Sequence, residues 1–357
     1  MALGRGGDPR PGVGAPERAS ATRRWALMVL GALAAALVVL ANRSDLPAAW
    51  LALRGARPTW LVALALLVVL YLLDQGARHM VAQRAVGLSP RWESMLPAAW
   101  AAHFVNAISK SGGYGGIAVL AAEGRRSAKP RGRVIAAALL VAVLDQLAFA
   151  MVLPFAILAM LLGGRFSAGD SIATAVFALY VCATGAVVIA ATRGRGSVHA
   201  LSALPGRISA WLQRVVLRRS VRYEHDEERA DELFDAITLL KGRLRTAIPA
   251  ALAAVAVDLL AILQLWVALR AVGVPVGLEE PFVAYSIATL FALVGIVPGG
   301  IGVVELSVVA VLHSFGTPLA LAAAAAVLFR VAEFWIPLAV GAVASHRYVL
   351  RPAPRPA

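Results

Sequence analysis

The sequence predicts an all-α, multi-pass membrane protein with about six full spans, two re-entrant helical hairpins and an inverted internal repeat. Composition is the first reason, because 60% of the 357 residues are hydrophobic and only 15% are charged, far from the balance of a soluble domain. The second is that apolar residues form long unbroken runs of the kind that cross a bilayer. The third is that two glycine-rich segments, about 187 positions apart, have similar surroundings, as in membrane proteins built from internal repeats.

Six apolar runs have the length of a membrane span or come close to it. Only helices satisfy all their backbone hydrogen bonds inside hydrocarbon at these lengths, so each run predicts one helix. The first run also has the features of a cleavable signal sequence, since Arg23 and Arg24 precede it, but five further runs favour an uncleaved helix. The predicted spans are 25–41, 59–73, 134–162, 171–192, 248–269 and 318–344.

The repeat is visible in two pairs of short motifs. Residues 111–116 (Ser-Gly-Gly-Tyr-Gly-Gly) correspond to 298–303 (Pro-Gly-Gly-Ile-Gly-Val), and the sequence Arg-Ala-Val-Gly occurs at both 84–87 and 270–273. Together with the order of the apolar runs, these motifs predict a first repeat over about 59–162 and a second over about 247–345. The whole transmembrane domain then covers 23–348, between a disordered basic tail at 1–22 and a short basic tail at 349–357.

Each glycine-rich motif interrupts a pair of shorter apolar segments, which predicts a hairpin. The pairs are 95–109 with 117–122, and 282–297 with 301–313. At 1.5 Å per residue the second arm of each pair is too short to cross the ~30 Å of hydrocarbon, so both pairs are expected to enter and leave on the same side. The alternative is ten ordinary helices, in which the glycines only permit close helix packing.

Basic residues assign the sides of the membrane. The net charge is +14, and lysines and arginines concentrate before the first span, at 123–133, in the linker 193–246 and at the C-terminus, whereas the loop 271–281 carries Glu279 and Glu280 and no basic residue. The positive-inside rule therefore predicts that both termini and the linker lie in the cytoplasm. We expect the basic charge to attract anionic lipid, not nucleic acid. The linker contains an amphipathic pattern that predicts either a helix on the cytoplasmic leaflet or a solvated connector.

Ionisable residues inside the apolar runs are the candidate functional residues, because a charge at the centre of a span costs at least ~2.5–3.5 kcal/mol. Arg330 and Glu333 are spaced to pair on one helix, and such a pair can be purely structural. An arginine can also hold a phosphate through its planar fork, helped by backbone amides at the hairpin turns. The candidate substrate-binding residues are Arg330, Glu333, Gly299, Gly300, Gly302, Glu305, Asp145, Gln146, Asp74, Asp258, Gly112 and Gly113.

Motifs for chemistry are missing from the sequence. It contains no nucleotide-binding loop, no nucleophile elbow and no spacing of His and Cys that is typical of a metal site. We therefore expect no catalytic residues, no metal, no cofactor and no ATP hydrolysis by this chain.

The second glycine motif and the last span together resemble a known family. Residues 298–305 (Pro-Gly-Gly-Ile-Gly-Val-Val-Glu) are followed by Arg330, Phe334, Trp335 and Pro337, a combination similar to the transmembrane region of lysylphosphatidylglycerol synthases, the flippase-like domain family. The resemblance covers about 25–345. Phe329 stands where the family usually has tyrosine, and the first hairpin lacks the proline and the acidic residue of the family pattern near Asn106.

This resemblance implies an inner-membrane protein that moves amphiphilic lipids between leaflets. Full-length synthases add an aminoacyltransferase domain that is not seen in this sequence, so lysyl transfer is not expected. The leading hypothesis is a translocase for a phospholipid or a lipid-linked anion, working as a homo-oligomer or beside a separate lipid-modifying enzyme. The alternative is an accessory membrane subunit or an intramembrane enzyme of lipid or cell-envelope biosynthesis.

Overall fold

A computed structural model describes residues 46–109, 114–191, 244–294 and 298–349, together with isolated positions between 193 and 238. Every regular element in these ranges is helical. The predicted span 25–41, both tails, the amphipathic part of the linker, and Gly112 and Gly113 lie outside the described residues.

The first half of the described chain contains a short helix followed by a long–short–short–long series and a further span. These helices are α1 (Leu46–Arg54), α2 (Pro58–Ala85), α3 (Trp92–Ser109), α4 (Tyr114–Arg126), α5 (Arg131–Leu162) and α6 (Ala168–Ala191).

The second half has the same long–short–short–long order. Its helices are α7 (Ile248–Ala271), α8 (Glu279–Val294), α9 (Val303–Ser314), α10 (Leu319–Arg330) and α11 (Ile336–Val349). A π-helical turn, Val331–Trp335, joins α10 to α11, so that the two form one span. A 3-10 turn, Pro298–Gly300, lies between α8 and α9.

Five of the predicted spans coincide with helices that are long and apolar enough to cross a membrane. They are Pro58–Ala85, Arg131–Leu162, Ala168–Ala186, Arg245–Ala271 and Leu319–His346. The prediction of a helical, multi-pass membrane protein is therefore confirmed. Two elements in each half are shorter, and within each pair the helices pack against one another: α3 against α4, and α8 against α9.

The repeated Arg-Ala-Val-Gly sequence ends two helices in the same way. Gly87 after α2 and Gly273 after α7 have φ values of 75° and 88°, a left-handed conformation that glycine adopts without strain. The next residue in each case donates its backbone N–H to a carbonyl five positions back: Leu88 to Gln83, and Val274 to Leu269. Both ends are Schellman motifs, so the sequence match reflects a shared helix terminus.

The long helices α2 and α7 form the centre of the bundle and run antiparallel. The backbone N–H of Arg57, just before α2, donates to the carbonyl oxygen of Ala271 at the end of α7. Trp60 and Trp266 meet edge to face with ring centroids 5.4 Å apart. Helices α5 and α10 flank this central pair. Helices α3 and α4 pack on one side of the bundle, and α8 and α9 pack on the other.

Helix α11 packs closely along α3 because Gly341 has no side chain at the contact. A Cβ atom at Gly341 would collide with the carbonyl oxygen of Trp100 and would lie 2.8 Å from the Cβ of Phe104. Small residues allow such close backbone approach between helices in a membrane.

We expect Gly341→Ala to lower the free energy of unfolding by ~1–3 kcal/mol, the usual cost of overpacking a tight contact. The matched control is Gly185→Ala on α6, where an added Cβ would meet nothing within 4 Å. The control should be neutral, or stabilise by up to ~1 kcal/mol through helix propensity. Thermal unfolding in one detergent measures both variants, and equal changes at the two positions would contradict the packing described here.

Candidate functional site

Arg330 connects the second hairpin to the last span. Its Nε donates to Glu305 Oε1 at 2.7 Å, its Nη1 donates to Glu333 Oε2 at 2.9 Å, and its Nη2 donates to the carbonyl oxygen of Gly299 at 2.9 Å. The side chain of Arg330 is 4% exposed. Each of the three nitrogen atoms thus binds a protein oxygen, which uses three of the five N–H groups of the guanidinium. Arg330, Glu305, Glu333, Gly299 and the nearby Phe334 are called the Arg330 cluster below.

The turn of this hairpin depends on glycine. Gly299, Gly300 and Gly302 have φ values of 64°, 62° and 83°, which other residues adopt only with strain. The backbone N–H of Gly302 donates to Glu305 Oε2 at 2.7 Å, so the same carboxylate caps α9 and binds Arg330.

Phe334 places the guanidinium against the turn. A Cβ atom at Gly299 would lie 2.5 Å from Cζ of Phe334, so the ring fits only because residue 299 is glycine. The guanidinium carbon of Arg330 lies 4.2 Å from the centroid of the same ring, a cation–π contact. One structural unit is therefore formed by the residues that carry the family resemblance, namely 298–305, Arg330 and Phe334.

The π-helical turn begins directly after Arg330. Pro337, seven residues after the end of α10 and just inside α11, has no backbone N–H and cannot continue regular α-helical hydrogen bonding. A wider turn at Val331–Trp335 accommodates this loss. It also sets the direction of Glu333 and Phe334, both of which contact Arg330.

A second buried arginine, Arg78, forms a similar group in the first half. Its Nη1 donates to Asp145 Oδ2 on α5 at 2.7 Å, and its Nε lies 3.1 Å from Asp74 Oδ2, one turn earlier on α2. The side chains of Arg78 and Asp74 are 11% and 10% exposed. Arg78, Asp74 and Asp145 are called the Arg78 cluster.

Asp258 lies close to the Arg78 cluster and binds a tyrosine of the second half. Its Oδ1 accepts a hydrogen bond of 2.7 Å from the hydroxyl of Tyr285 on α8. Asp258 also interacts electrostatically with Asp145 and Arg78, and Tyr285 does so with Glu333. Helices from both halves therefore contribute charged groups to one region. This region consists of the Arg78 cluster, the Arg330 cluster, Asp258, Tyr285 and the adjacent Tyr71, and we call it the central polar cluster.

Several buried polar atoms of the described residues have no hydrogen-bond partner. Among them are three acceptors: Asp145 Oδ1, which belongs to the Arg78 cluster, and Gln146 Oε1 and Asp258 Oδ2, which lie near it. Gln75 on α2 and Gln264 on α7 have no partner for either end of their amides. An unpaired buried polar group costs ~1–3 kcal/mol, so a hydrogen-bond donor or a proton entering this region would be stabilised.

The structure brings together most of the candidate residues predicted from the sequence. Asp74 and Asp145 belong to the Arg78 cluster, Asp258 binds Tyr285, and Gln146 donates to the hydroxyl of Tyr180 on α6. Gly300 lies in the turn against Ala292 and Val304, while Gly299, Gly302, Glu305, Arg330 and Glu333 form a connected set. The pairing of Arg330 with Glu333 is as expected from their spacing.

Sequence reasoning missed Arg78, Tyr71 and Tyr285. Arg78 is four residues after Asp74 in an apolar helix, the spacing of a helical ion pair, and this signal could have identified it. The two tyrosines have no comparable signal, because isolated tyrosines are common in membrane helices. The part of the predicted site formed by Gly112 and Gly113 lies outside the described residues.

We expect Arg330→Gln to lower the free energy of unfolding by ~3–5 kcal/mol, because it leaves two carboxylates without their cation. Arg84→Gln, at the exposed end of α2, is the control and should cost little. Thermal unfolding in detergent compares the two variants.

The double variant Arg330→Gln with Glu305→Gln should recover part of the loss, by ~0.5–3 kcal/mol, since it removes one of the unpaired charges. If the Arg330 and Arg84 variants were equally stable, the Arg330 cluster would have no structural role.

The comparison with known proteins agrees with this architecture. The sequence pattern of the family described as lysylphosphatidylglycerol synthase TM region matches residues 25–341. A UPF0104 membrane protein of Methanothermobacter thermautotrophicus is 31% identical over 86 residues, which make up 24% of this chain and 26% of that protein. The matched stretch thus spans about a quarter of that relative. The chain belongs to the lysylphosphatidylglycerol synthase TM region family, and so to the helical membrane proteins of lipid or cell-envelope metabolism.

Proposed function

We propose that this protein is a lipid translocase, which moves a phospholipid or a lipid-linked anion between the leaflets of the cell membrane without hydrolysing ATP. One observation carries the proposal: helices from both halves meet at a buried cluster of charged residues in which acceptor atoms lack donors. Charged groups are costly in hydrocarbon and persist where they serve a pathway for polar groups. A lipid head group is the polar group that a membrane protein of this family would have to move.

An inverted repeat is part of the proposal. Its support is the matching order of long and short helices in the two halves, the shared Schellman ends of α2 and α7, and the antiparallel packing of these two helices. In such repeats the substrate site lies near the midplane, and rocking one half against the other exposes it to each side in turn. Tyr71 and Asp258 lie near the middle of α2 and α7, which supports a midplane position for the central polar cluster.

Re-entrant hairpins are also proposed. Helix α9 has 12 residues and is therefore about 18 Å long, well short of the ~30 Å hydrocarbon layer. Its preceding turn contacts Arg330, which lies close to the middle of the span Leu319–His346. The turn at Pro298–Gly300 also contacts α3 of the first hairpin. These contacts support a turn at the midplane and arms that return to the side from which they came.

The proposed sidedness rests on where basic residues fall. The end of α4 and the start of α5 carry Arg125, Arg126, Lys129, Arg131 and Arg133, and this end of the bundle also holds Arg245 before α7. We assign this end to the cytoplasm. Both termini are then cytoplasmic, and the loops 163–167, 272–278 and 315–317 face the opposite side.

We propose that an anionic head group binds by displacing a carboxylate from a buried arginine. Arg78 and Arg330 are each paired with two carboxylates, so a phosphate has to displace one of them. Asp145 is 36% exposed and Asp74 is 10% exposed, so Asp145 is the carboxylate of Arg78 that a phosphate would displace. The titratable side chains that face one another here are Tyr71, Asp74, Arg78 and His79 of α2, His103 of α3, Asp145 of α5, Asp258 of α7, Tyr285 of α8, Glu305 of α9, Arg330 of α10 and Glu333 of the π-helical turn.

Two further parts of the proposal concern what lies outside the chain. The protein acts with membrane lipids, and either as a homo-oligomer or with a separate enzyme that makes or modifies the lipid. It carries out no catalytic step of its own.

The direct test is transport in reconstituted vesicles. Phosphatidylcholine vesicles containing the protein and a trace of fluorescent phosphatidylglycerol are treated with a reductant that bleaches only the outer leaflet. We expect the wild-type protein to accelerate loss of the protected fraction, and Arg78→Gln to slow this by about tenfold, the effect of ~1.4 kcal/mol on the barrier.

Arg84→Gln is the matched control and should transport as the wild type does. An accessory subunit or an enzyme would leave the protected fraction intact in every sample, and that result with fluorescent polyprenyl phosphate as well would overturn the proposal.

We expect Asp145→Asn to speed transport of phosphatidylglycerol, because a neutral amide holds Arg78 less strongly and leaves its guanidinium for a phosphate. Glu279→Gln, at the exposed start of α8, is the control and should transport as the wild type does. The vesicle assay measures both variants, and an Asp145→Asn rate equal to or below the wild-type rate would contradict the displacement of this carboxylate.

A further inference from the structure

An apolar groove runs between α5 and α6, on the membrane-facing side of the bundle. It has a volume of about 580 Å³, within the range of small-molecule sites. Two of its residues, Ala150 and Leu161, mark its extent along α5. The distance between them is about 16 Å along the helix, close to half of the ~30 Å hydrocarbon thickness. The groove is therefore as long as one leaflet is deep.

Along α5, the inner end of the groove is one helical turn from residues at the central polar cluster. Gln146 precedes Ala150 by one helical turn on the same stripe of α5, and Asp145 of the Arg78 cluster is its neighbour in sequence. The side-chain amide of Gln146 donates to the hydroxyl of Tyr180, so this pair joins the two walls at that end. Gln146 Oε1 and Asp145 Oδ1 are buried acceptors without a partner.

One polar atom lies in the otherwise apolar wall. The hydroxyl of Thr174 is buried, lines the groove and has no hydrogen-bond partner. The remaining lining side chains are aliphatic, aromatic or the thiol of Cys182. An ester carbonyl entering from the polar end would accept a hydrogen bond from Thr174, while a hydrocarbon chain would continue beyond it.

We propose that this groove holds an acyl chain of the lipid whose head group lies at the central polar cluster; the proposal rests on the proposed function. A lipid joins a polar head to an apolar chain, and along α5 the polar residues Asp145 and Gln146 are followed by the apolar groove in the same order. Transport then requires that only the head group cross the bundle, with the chain remaining between α5 and α6 in contact with the bilayer.

A transmembrane helix fits this groove less well than a chain does. A helix ~10 Å wide and ~16 Å long needs roughly 1,200 Å³, about twice the 580 Å³ that is present. Helix α1, the first described element, packs against α10. An acyl chain is the occupant that agrees with the volume, the length and the lining.

The test uses phosphatidylglycerol with a photoreactive diazirine in one acyl chain, as a minor component of phosphatidylcholine nanodiscs containing the whole protein. Mass spectrometry after illumination identifies the labelled residues. We expect labelling within 150–161 and 174–182, and we expect excess unlabelled phosphatidylglycerol to reduce it more than the same excess of phosphatidylcholine.

Two variants make the test specific. Ala178→Trp fills the groove and should abolish this labelling, whereas Leu179→Trp, on the adjacent but lipid-facing position, should leave it unchanged. Arg78→Gln should weaken the competition by phosphatidylglycerol, because the head group then loses its partner. In the vesicle assay, Ala178→Trp should slow transport by about tenfold, equivalent to ~1.4 kcal/mol, and Leu179→Trp should not.

Each contrary outcome has its own meaning. Equal competition by both lipids shows ordinary boundary lipid and overturns the proposal, and so does labelling that Ala178→Trp leaves intact. Protection of the groove by residues 25–41, seen as cross-links between that segment and α6, also overturns it. If phosphatidylglycerol competes selectively while the wild-type protein moves no lipid, the groove binds an acyl chain and the translocase function fails.

Discussion

The second half of the structure depends on the hydrogen bonds and ion pairs that the guanidinium of Arg330 makes. It is held by a carboxylate of α9, a carboxylate of the π-helical turn and a carbonyl oxygen of the hairpin turn. In hydrocarbon no water replaces a missing partner, so the carboxylates and the arginine must be placed together for any of them to be buried. The same requirement explains the three left-handed glycines, which bring the backbone close enough for Gly299 to meet both Phe334 and Arg330.

The two halves have similar helices but different electrostatic arrangements. In the first half the arginine, Arg78, is on the first long helix; in the second, Arg330 is on the last. In the register of the repeated Arg-Ala-Val-Gly sequence, the position of Arg78 corresponds to Gln264, a fully buried neutral residue. Each arginine is shared by two carboxylates, so both clusters carry an excess of acidic groups. Asp258 adds a further carboxylate, and its hydrogen-bond donor is a neutral hydroxyl.

This charge balance changes how the site is expected to work. An arginine already paired with two carboxylates is not a free anion receptor, and a phosphate can reach it only by competing with them. Protons, or the donor groups of a head group, are the species that such an acidic cluster would stabilise. The proposed displacement of Asp145 from Arg78 follows from this competition. In the same proposal, the groove between α5 and α6 would hold the apolar part of the lipid without requiring it to cross the polar cluster.

The sequence by itself determined the class of the protein, the positions of five spans and the glycine turn at 298–300, because these depend on local hydropathy, helix length and glycine. It also identified the carboxylates and Arg330 as candidate functional residues, because ionisable side chains are costly inside a membrane. Only the tertiary structure decided which groups pair. Arg78 reaches Asp145 across 67 positions, Tyr285 reaches Asp258 across 27, and Arg330 reaches Gly299 across 31. Such contacts depend on how helices pack and turn relative to one another, and no local pattern in the sequence records that geometry.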